Sequence, residues 1–279
     1  MEKILVAIDA QDPSIDEIDF ACYLARLTNS NLTGIFLEDL LYGTKPVMKL
    51  LAGTPYVETI TIDSLPDHAK RNAIADENIR RFREACENRC IQPKVHRDRG
   101  LPPEEIVEES RFADLIVIDP ATTFSRSGER VPGHFVRDVL HETECPIIIS
   151  PYSFDSIDEI FFTYNGTKSS VFAIKQFTYL FPELRSRKVT IVSVKNNDDP
   201  GIEEQYKLKE WLKPHYNDPE FVLLKGEPAD QLFGYLIEKK NGIVVMGAFG
   251  RSMLSRFFKP SHARLIVKAI NLPIFIAHY

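Results

Sequence analysis

Ala113-Asp114-Leu115-Ile116-Val117-Ile118-Asp119 and Asn241-Gly242-Ile243-Val244-Val245-Met246-Gly247 decide the fold of this chain, because they are one feature met twice, 128 residues apart. Each is a continuous apolar run between polar or turn-forming residues. A half-exposed strand would alternate, so unbroken runs of this length fit parallel strands covered on both faces. Downstream, Cys145-Pro146-Ile147-Ile148-Ile149 answers Leu272-Pro273-Ile274-Phe275-Ile276 at an offset of 127. Upstream, Lys3-Ile4-Leu5-Val6-Ala7-Ile8-Asp9 answers Glu159-Ile160-Phe161-Phe162-Thr163-Tyr164-Asn165, which makes Asp9 and Asn165 counterparts. Asn31 to Leu37 likewise answers Lys188 to Val194.

Helical patterns separate these runs, over Ile15 to Leu27 and Pro103 to Arg111 in the first half and over Ser170 to Phe181 and Ala229 to Lys240 in the second. Gly100-Leu101-Pro102-Pro103-Glu104-Glu105 and Gly226-Glu227-Pro228-Ala229-Asp230 place proline and acids at helix starts, where a fixed φ and the macrodipole favour them. Each half therefore reads β-α-β-α-β-α-β-α-β. The expected fold is α/β, with two tandem open five-stranded parallel sheets flanked by helices and domains at 1–152 and 153–279, the boundary falling within Pro151 to Asp158. The halves differ at Leu41 to Asp67, where Gly43, Pro46, Gly53, Pro55 and Pro66 point to a long loop, read as a lid, a contact surface or a mobile segment.

With 279 residues, 44% of them hydrophobic and 27% charged, the chain can build two ordinary cores. No apolar run approaches the roughly 18–20 residues that span a bilayer, and the start lacks a signal-peptide pattern. The expectation is no membrane attachment and a cytoplasmic location. A net charge of −6 gives no general attraction to nucleic acid. The four cysteines (Cys22, Cys86, Cys90, Cys145) all lie in the first half and read as free, mostly buried thiols. Cys86 and Cys90 stand four apart on a helix read from His68 to Asn88 and could face one another. With His68 or His96 they still lack the further ligands a metal site needs, so no metal is expected. No G-x-S-x-G, H-E-x-x-H or P-loop pattern occurs, and no catalytic residues are assigned. His134, His141 and Asp119 could meet as a hydrolytic group, but histidines on a surface helix are the commoner reading.

An open parallel sheet binds ligands beyond the carboxyl ends of its strands, where strand order reverses. Those ends are Asp9 and Asp119 in the first half and Asn165 and Gly247 in the second. Met246 and Gly247 lead into Gly247-Ala248-Phe249-Gly250-Arg251-Ser252, and a helical pattern resumes at Ser261-His262-Ala263-Arg264. Glycines let backbone approach a ligand, and a helix start offers N–H donors to an anion. Arg251, Arg256, Lys259 and Arg264 surround this turn, as a basic patch for phosphate or an acidic partner.

These residues resemble the universal stress protein signature G-x2-G-x9-G-[ST], and the resemblance extends over essentially the whole chain. It implies an adenine nucleotide α-hydrolase-like fold and a nucleotide cleft. By that resemblance, Asn165, Met246, Gly247, Gly250, Ser261 and His262 would hold ATP or another adenine nucleotide, with magnesium only if ATP is bound. Pro260 stands where the signature has its third glycine, and Asn165 where it has an acid. In the first half Asp9 keeps the acid, Asp119 and Thr122 occupy glycine positions, and Gly133-His134 echoes the closing pair. A carboxylate at a phosphate-facing turn repels a triphosphate, so the second half is the expected site. The resemblance further implies a stress-response regulatory protein acting on a protein partner that the sequence does not name. Its halves would form an internal pseudo-dimer through Pro146 to Ser150 and Pro273 to Ala277, compatible with a further homodimer. Two other classes fit the same residues. One is a slow ATP hydrolase or other ATP-using enzyme with magnesium on Asp9 or Asp119, and the other an interaction protein with degenerate clefts.

Overall fold

The apolar runs of the repeat all become strands. The structure, a computed structural model, describes residues 1–39, 46–51, 54–59, 68–124, 132–195, 202, 204–247 and 270–278. In chain order the first half runs β1 (Lys3–Asp9), α1 (Ile15–Thr28), β2 (Asn31–Asp39), β3 (Pro46–Leu51), β4 (Thr54–Thr59), α2 (His68–Glu87), β5 (Lys94–Gly100), α3 (Pro102–Ser110), β6 (Leu115–Ile118), α4 (His134–Glu142) and β7 (Ile147–Ile149). The second runs β8 (Glu159–Thr163), α5 (Lys168–Leu180), β9 (Lys188–Lys195), α6 (Gln205–Leu212), β10 (Glu220–Lys225), α7 (Pro228–Leu236), β11 (Gly242–Gly247) and β12 (Ile274–Ala277). The helix expected from about Ser261 lies outside the described residues.

The two five-stranded parallel sheets are fused into one, in the order β10-β9-β8-β11-β12-β7-β6-β1-β2-β5. Within this ten-stranded sheet all pairs inside a half are parallel, and the seam is antiparallel, with Ile274 opposite Ile149, Phe275 opposite Ile148 and Ile276 opposite Ile147. The halves thus meet through the proline-led strands expected to join them. Pro146 and Pro273 lack an N–H, but their carbonyls accept from Ile116 and Val244, so each fits at the start of its strand.

Alternation along each strand feeds two apolar layers. Ile4, Val6 and Ile8 of β1 enter one layer with Phe20, Leu24 and Phe82, while Leu5 and Ala7 enter the other with Val136 and Val139. Both layers run through the seam. Phe275 of β12 sits 5.3 Å from Phe177 of α5, in the layer that also holds Ile148 of β7. Each such side chain, fully buried, contributes roughly 1.5–3 kcal/mol. The connector between the halves is fastened as well. Asn271 donates to Ser153 O at 2.9 Å and Oγ at 2.6 Å and accepts from Ser153 N at 3.0 Å, and Phe154 packs on Phe20 and Tyr23 of α1.

Two expectations are corrected. The stretch read as a long loop contains a hairpin, β3 and β4, paired antiparallel from Pro46 opposite Thr59 to Leu51 opposite Thr54. Its prolines misled because both strands of a two-stranded ribbon are edges, where a missing N–H is tolerated. Cys86 and Cys90 do not share a helix face, because α2 ends at Glu87 and Cys90 takes a left-handed φ of 60° in the turn that follows. The N–H of Ile91 then closes onto Cys86 O, a helix end that needs one left-handed residue. Cys86 Sγ lies instead 3.6 Å from Cys22 Sγ, and that contact, followed by burial, pushes its pKa up. All four thiols are free, three of them buried and Cys90 exposed.

Candidate functional site

β1 pairs with β2 on one side and β6 on the other, so the carboxyl ends of β1 and β6 flank the first half's switch point. Asp9 closes β1 with its Oδ1 accepting the Gln11 N–H at 2.8 Å, and Asp119 follows β6 with its Oδ1 accepting the Ala121 N–H at 2.6 Å. A third carboxylate arrives from α1. Ser14-Ile15-Asp16-Glu17 is a capping-box sequence, and Ser14 Oγ does accept the Glu17 N–H at 3.4 Å. The glutamate does not complete the box. Its Oε1 crosses to accept the Asp119 N–H at 2.8 Å, and the residue is buried. Burial, and then the nearby Asp119 charge, hold the Glu17 pKa well above the usual carboxylate range. Burial also raises Asp9 to about 6, against the Gln11 hydrogen bond that favours its charge.

The cleft at this end has a volume of roughly 100 Å³, lined by Asp9, Gln11, Glu38, Asp39, Arg71, Thr123 and Phe124. Sites for drug-sized ligands usually occupy about 300–1,000 Å³. Glu38 is held by Arg97 Nε at 2.6 Å, and the same guanidinium binds Asp76 and Asn72. Gly133 caps α4 and His134 opens it, exposed and in contact with Arg137 at 3.1 Å, and neither lines the cleft.

In the second half the switch point lies between β8 and β11. Asn165 repeats the Asp9 turn, its Oδ1 accepting from Thr167 N at 3.2 Å and Thr167 Oγ1 at 2.7 Å. Thr167 caps α5 by accepting the Ser170 N–H at 3.3 Å. Gly247 ends β11 against this helix: a Cβ there would stand 2.5 Å from the carbonyl carbon and oxygen of Ser169, so only glycine fits without displacing backbone. Met246 turns the other way, buried in the layer with Leu272 and Ile276. Gly250, Ser261 and His262 lie outside the described residues.

Aligning the halves by strand end and helix start, Asp9, Glu17 and Asp119 face Asn165, Ser170 and Gly247. Every carboxylate of the first trio is replaced by an uncharged residue in the second. Asp9 and Asp119 were legible in the sequence. Glu17 was missed, because its Ser-x-x-Glu spacing is fully explained by helix capping and nothing local tells that the carboxyl turns outward. Two larger depressions lie away from both switch points: one of about 390 Å³ over α1, bordered by Asp19, Tyr23, Arg26, Leu27 and Arg89, and one of about 320 Å³ beside the connector and the start of β11. Among the described residues no three His, Cys, Asp or Glu side chains converge as a metal site, and no helix is long and apolar enough to cross a membrane.

No family model matches the chain, and no curated protein matches it significantly. Solved structures do. A universal stress protein from Archaeoglobus fulgidus DSM 4304 superposes with a TM-score of 0.67 over 99% of this chain and 98% of its own, at 16% identity. One described as a universal stress protein from Pseudomonas aeruginosa UCBPP-PA14 gives 0.58 over 100% and 93%, at 15% identity. The chain has the universal stress protein fold over its full length.

Proposed function

We propose that this chain is a cytoplasmic, tandem universal-stress-type regulatory protein, with domains at 1–152 and 153–279, whose second half holds one adenine nucleotide at the ends of β8 and β11. The observation that carries this reading is the loss of negative charge from that switch point. A polyphosphate entering the first half would meet Asp9 and Asp119 beside a buried Glu17, where burial raises the pKa of Asp9 and Glu17 and the nearby Asp119 charge raises that of Glu17 further. At the second, Asn165 keeps the turn without the charge, and Gly247 brings β11 against the N-terminal end of α5. The sequence adds Gly250, Ser261 and the basic Arg251, Arg256, Lys259 and Arg264 after that strand. ATP, ADP and AMP share the chemistry such a site reads, and magnesium would enter only with ATP. Binding would be the signal passed to a protein partner, with no turnover required.

Isothermal titration with ATP, ADP and AMP tests this. One site per chain is expected, with Gly250→Arg abolishing it. Two equivalent sites, or no heat with any of the three, overturns the reading.

A further inference from the structure

Two helices each bring one thiol to the same point. Cys22 stands midway along α1 and Cys86 one residue before the end of α2, 64 residues apart in sequence. Their Sγ atoms are 3.6 Å apart, so a disulfide needs the sulfurs to close by only about 1.6 Å, to roughly 2.0 Å. The other two cysteines are placed differently, Cys145 in the opposite apolar layer and Cys90 exposed in the turn after α2.

The surroundings of the pair are not purely apolar. Asp19, Arg26 and Arg89 are close enough to act on the Cys22 thiol, and with Tyr23 and Leu27 they border the depression of about 390 Å³ over α1. Arg89 bridges to Asp19 at 2.6 Å, an ion pair between half-exposed groups that opens at little cost. Glu87 and Asn88 are exposed, which leaves the buried Cys86 one residue inside the surface. Contact with Cys86 lowers the Cys22 pKa, and Arg89 and Arg26 lower it further, against burial and Asp19, while the same contact raises that of Cys86. Cys22 is thus the thiolate of the pair and Cys86 the S–H donor.

We propose that Cys22 and Cys86 form a reversible oxidation site, where a hydroperoxide converts the dithiol into a disulfide that ties α1 to α2. The Cys22 thiolate attacks the peroxide: an S–O bond forms as the O–O bond breaks, and the departing alkoxide or hydroxide takes up the proton that Cys22 gave up. Cys86 then attacks the Cys22 sulfur, so that S–S forms, S–O breaks, and hydroxide leaves with the Cys86 proton as water. Two thiols lose two electrons and one hydroperoxide gains them. The bond would fasten together the two helices that hold the turn after Asp9. Ser14 in that turn caps α1, and from α2 Asn78 Nδ2 donates to Ala10 O at 2.9 Å while Arg71 O accepts from Gln11 Nε2 at 3.2 Å.

Peptide mapping without reduction tests this, on the full chain treated under native conditions with hydrogen peroxide. A peptide pair joined through Cys22 and Cys86 is expected, released by dithiothreitol, present in Cys90→Ser and absent from Cys22→Ala and Cys86→Ala. Because the bond closes a long loop, the oxidised protein should melt about 5 °C or more above the reduced one. The linked peptide and the melting rise are read on the wild type, so they stand even if an alanine variant folds poorly. Cys22 and Cys86 that stay reduced while Cys90 is oxidised, a link from Cys86 to Cys90 in place of Cys22, or an oxidised form that melts no higher than the reduced one would overturn the proposal.

Discussion

Asp9→Asn should make the protein more stable at neutral pH, against the rule that substitutions at partly buried polar positions destabilise. The Asp9 carboxyl has its pKa raised from 3.8 to about 6, chiefly by burial. The folded state therefore binds more protons than the unfolded chain between those values. The group's contribution is most favourable below pH 3.8 and is lost as pH rises through about 6. At about 1.4 kcal/mol per pH unit, the ionised carboxylate costs on the order of 3 kcal/mol at pH 7. Asparagine removes that cost and keeps the oxygen that accepts the Gln11 N–H, as Asn165 shows by making the same turn in the second half. Urea unfolding at pH 7 should then give a gain of about 2–3 kcal/mol, or about 5 °C in Tm for a chain of this size. The gain should shrink towards zero at pH 4. A variant equal to or weaker than the wild type at pH 7, or a gain that does not depend on pH, would refute the assignment of burial as the dominant influence on Asp9.

Gly247→Ala should destabilise by about 3 kcal/mol in the absence of any ligand, because the added methyl meets helix backbone that cannot rotate away. A loss under about 1 kcal/mol by urea titration would show that α5 can retreat. Glu17→Ala leaves the half-buried Asp119 N–H without its acceptor and should cost about 1–3 kcal/mol, whereas Glu17→Gln keeps an acceptor and should match or exceed wild-type stability at neutral pH. Equal losses for the two variants would place the role of Glu17 elsewhere.

The fold was legible because its strands are buried on both faces. Runs such as Leu115 to Ile118 and Ile243 to Met246 carry no competing helical period, and their recurrence in the same order in both halves doubles each inference. Where the reading failed, the deciding contact was remote in sequence. The hairpin of β3 and β4 exists through cross-strand pairing that prolines disguise, and Cys86 meets Cys22, 64 residues away, instead of its near neighbour. The site was legible to the extent that chemistry sits at strand ends: Asp9, Asp119, Asn165 and Gly247 follow from topology alone. Glu17 did not, since a residue on the first turn of a helix can reach inward or outward with the same sequence.

The antiparallel seam explains how two such different switch points coexist in one sheet. Within each half the strands of the main sheet are parallel, so reversing direction at β7 and β12 sends the carboxyl ends of the two halves to opposite edges of that sheet. Exposed charges separated by much more than the Debye length, about 8 Å at physiological ionic strength, hardly feel one another. Asp9 and Asp119 at one end would therefore add little repulsion to the anion proposed for the other. The same geometry excludes a single ligand bridging both switch points. Communication between them would have to pass through the shared apolar layers, where Phe275, Phe177 and Ile148 connect the second half's helices to the first half's last strand.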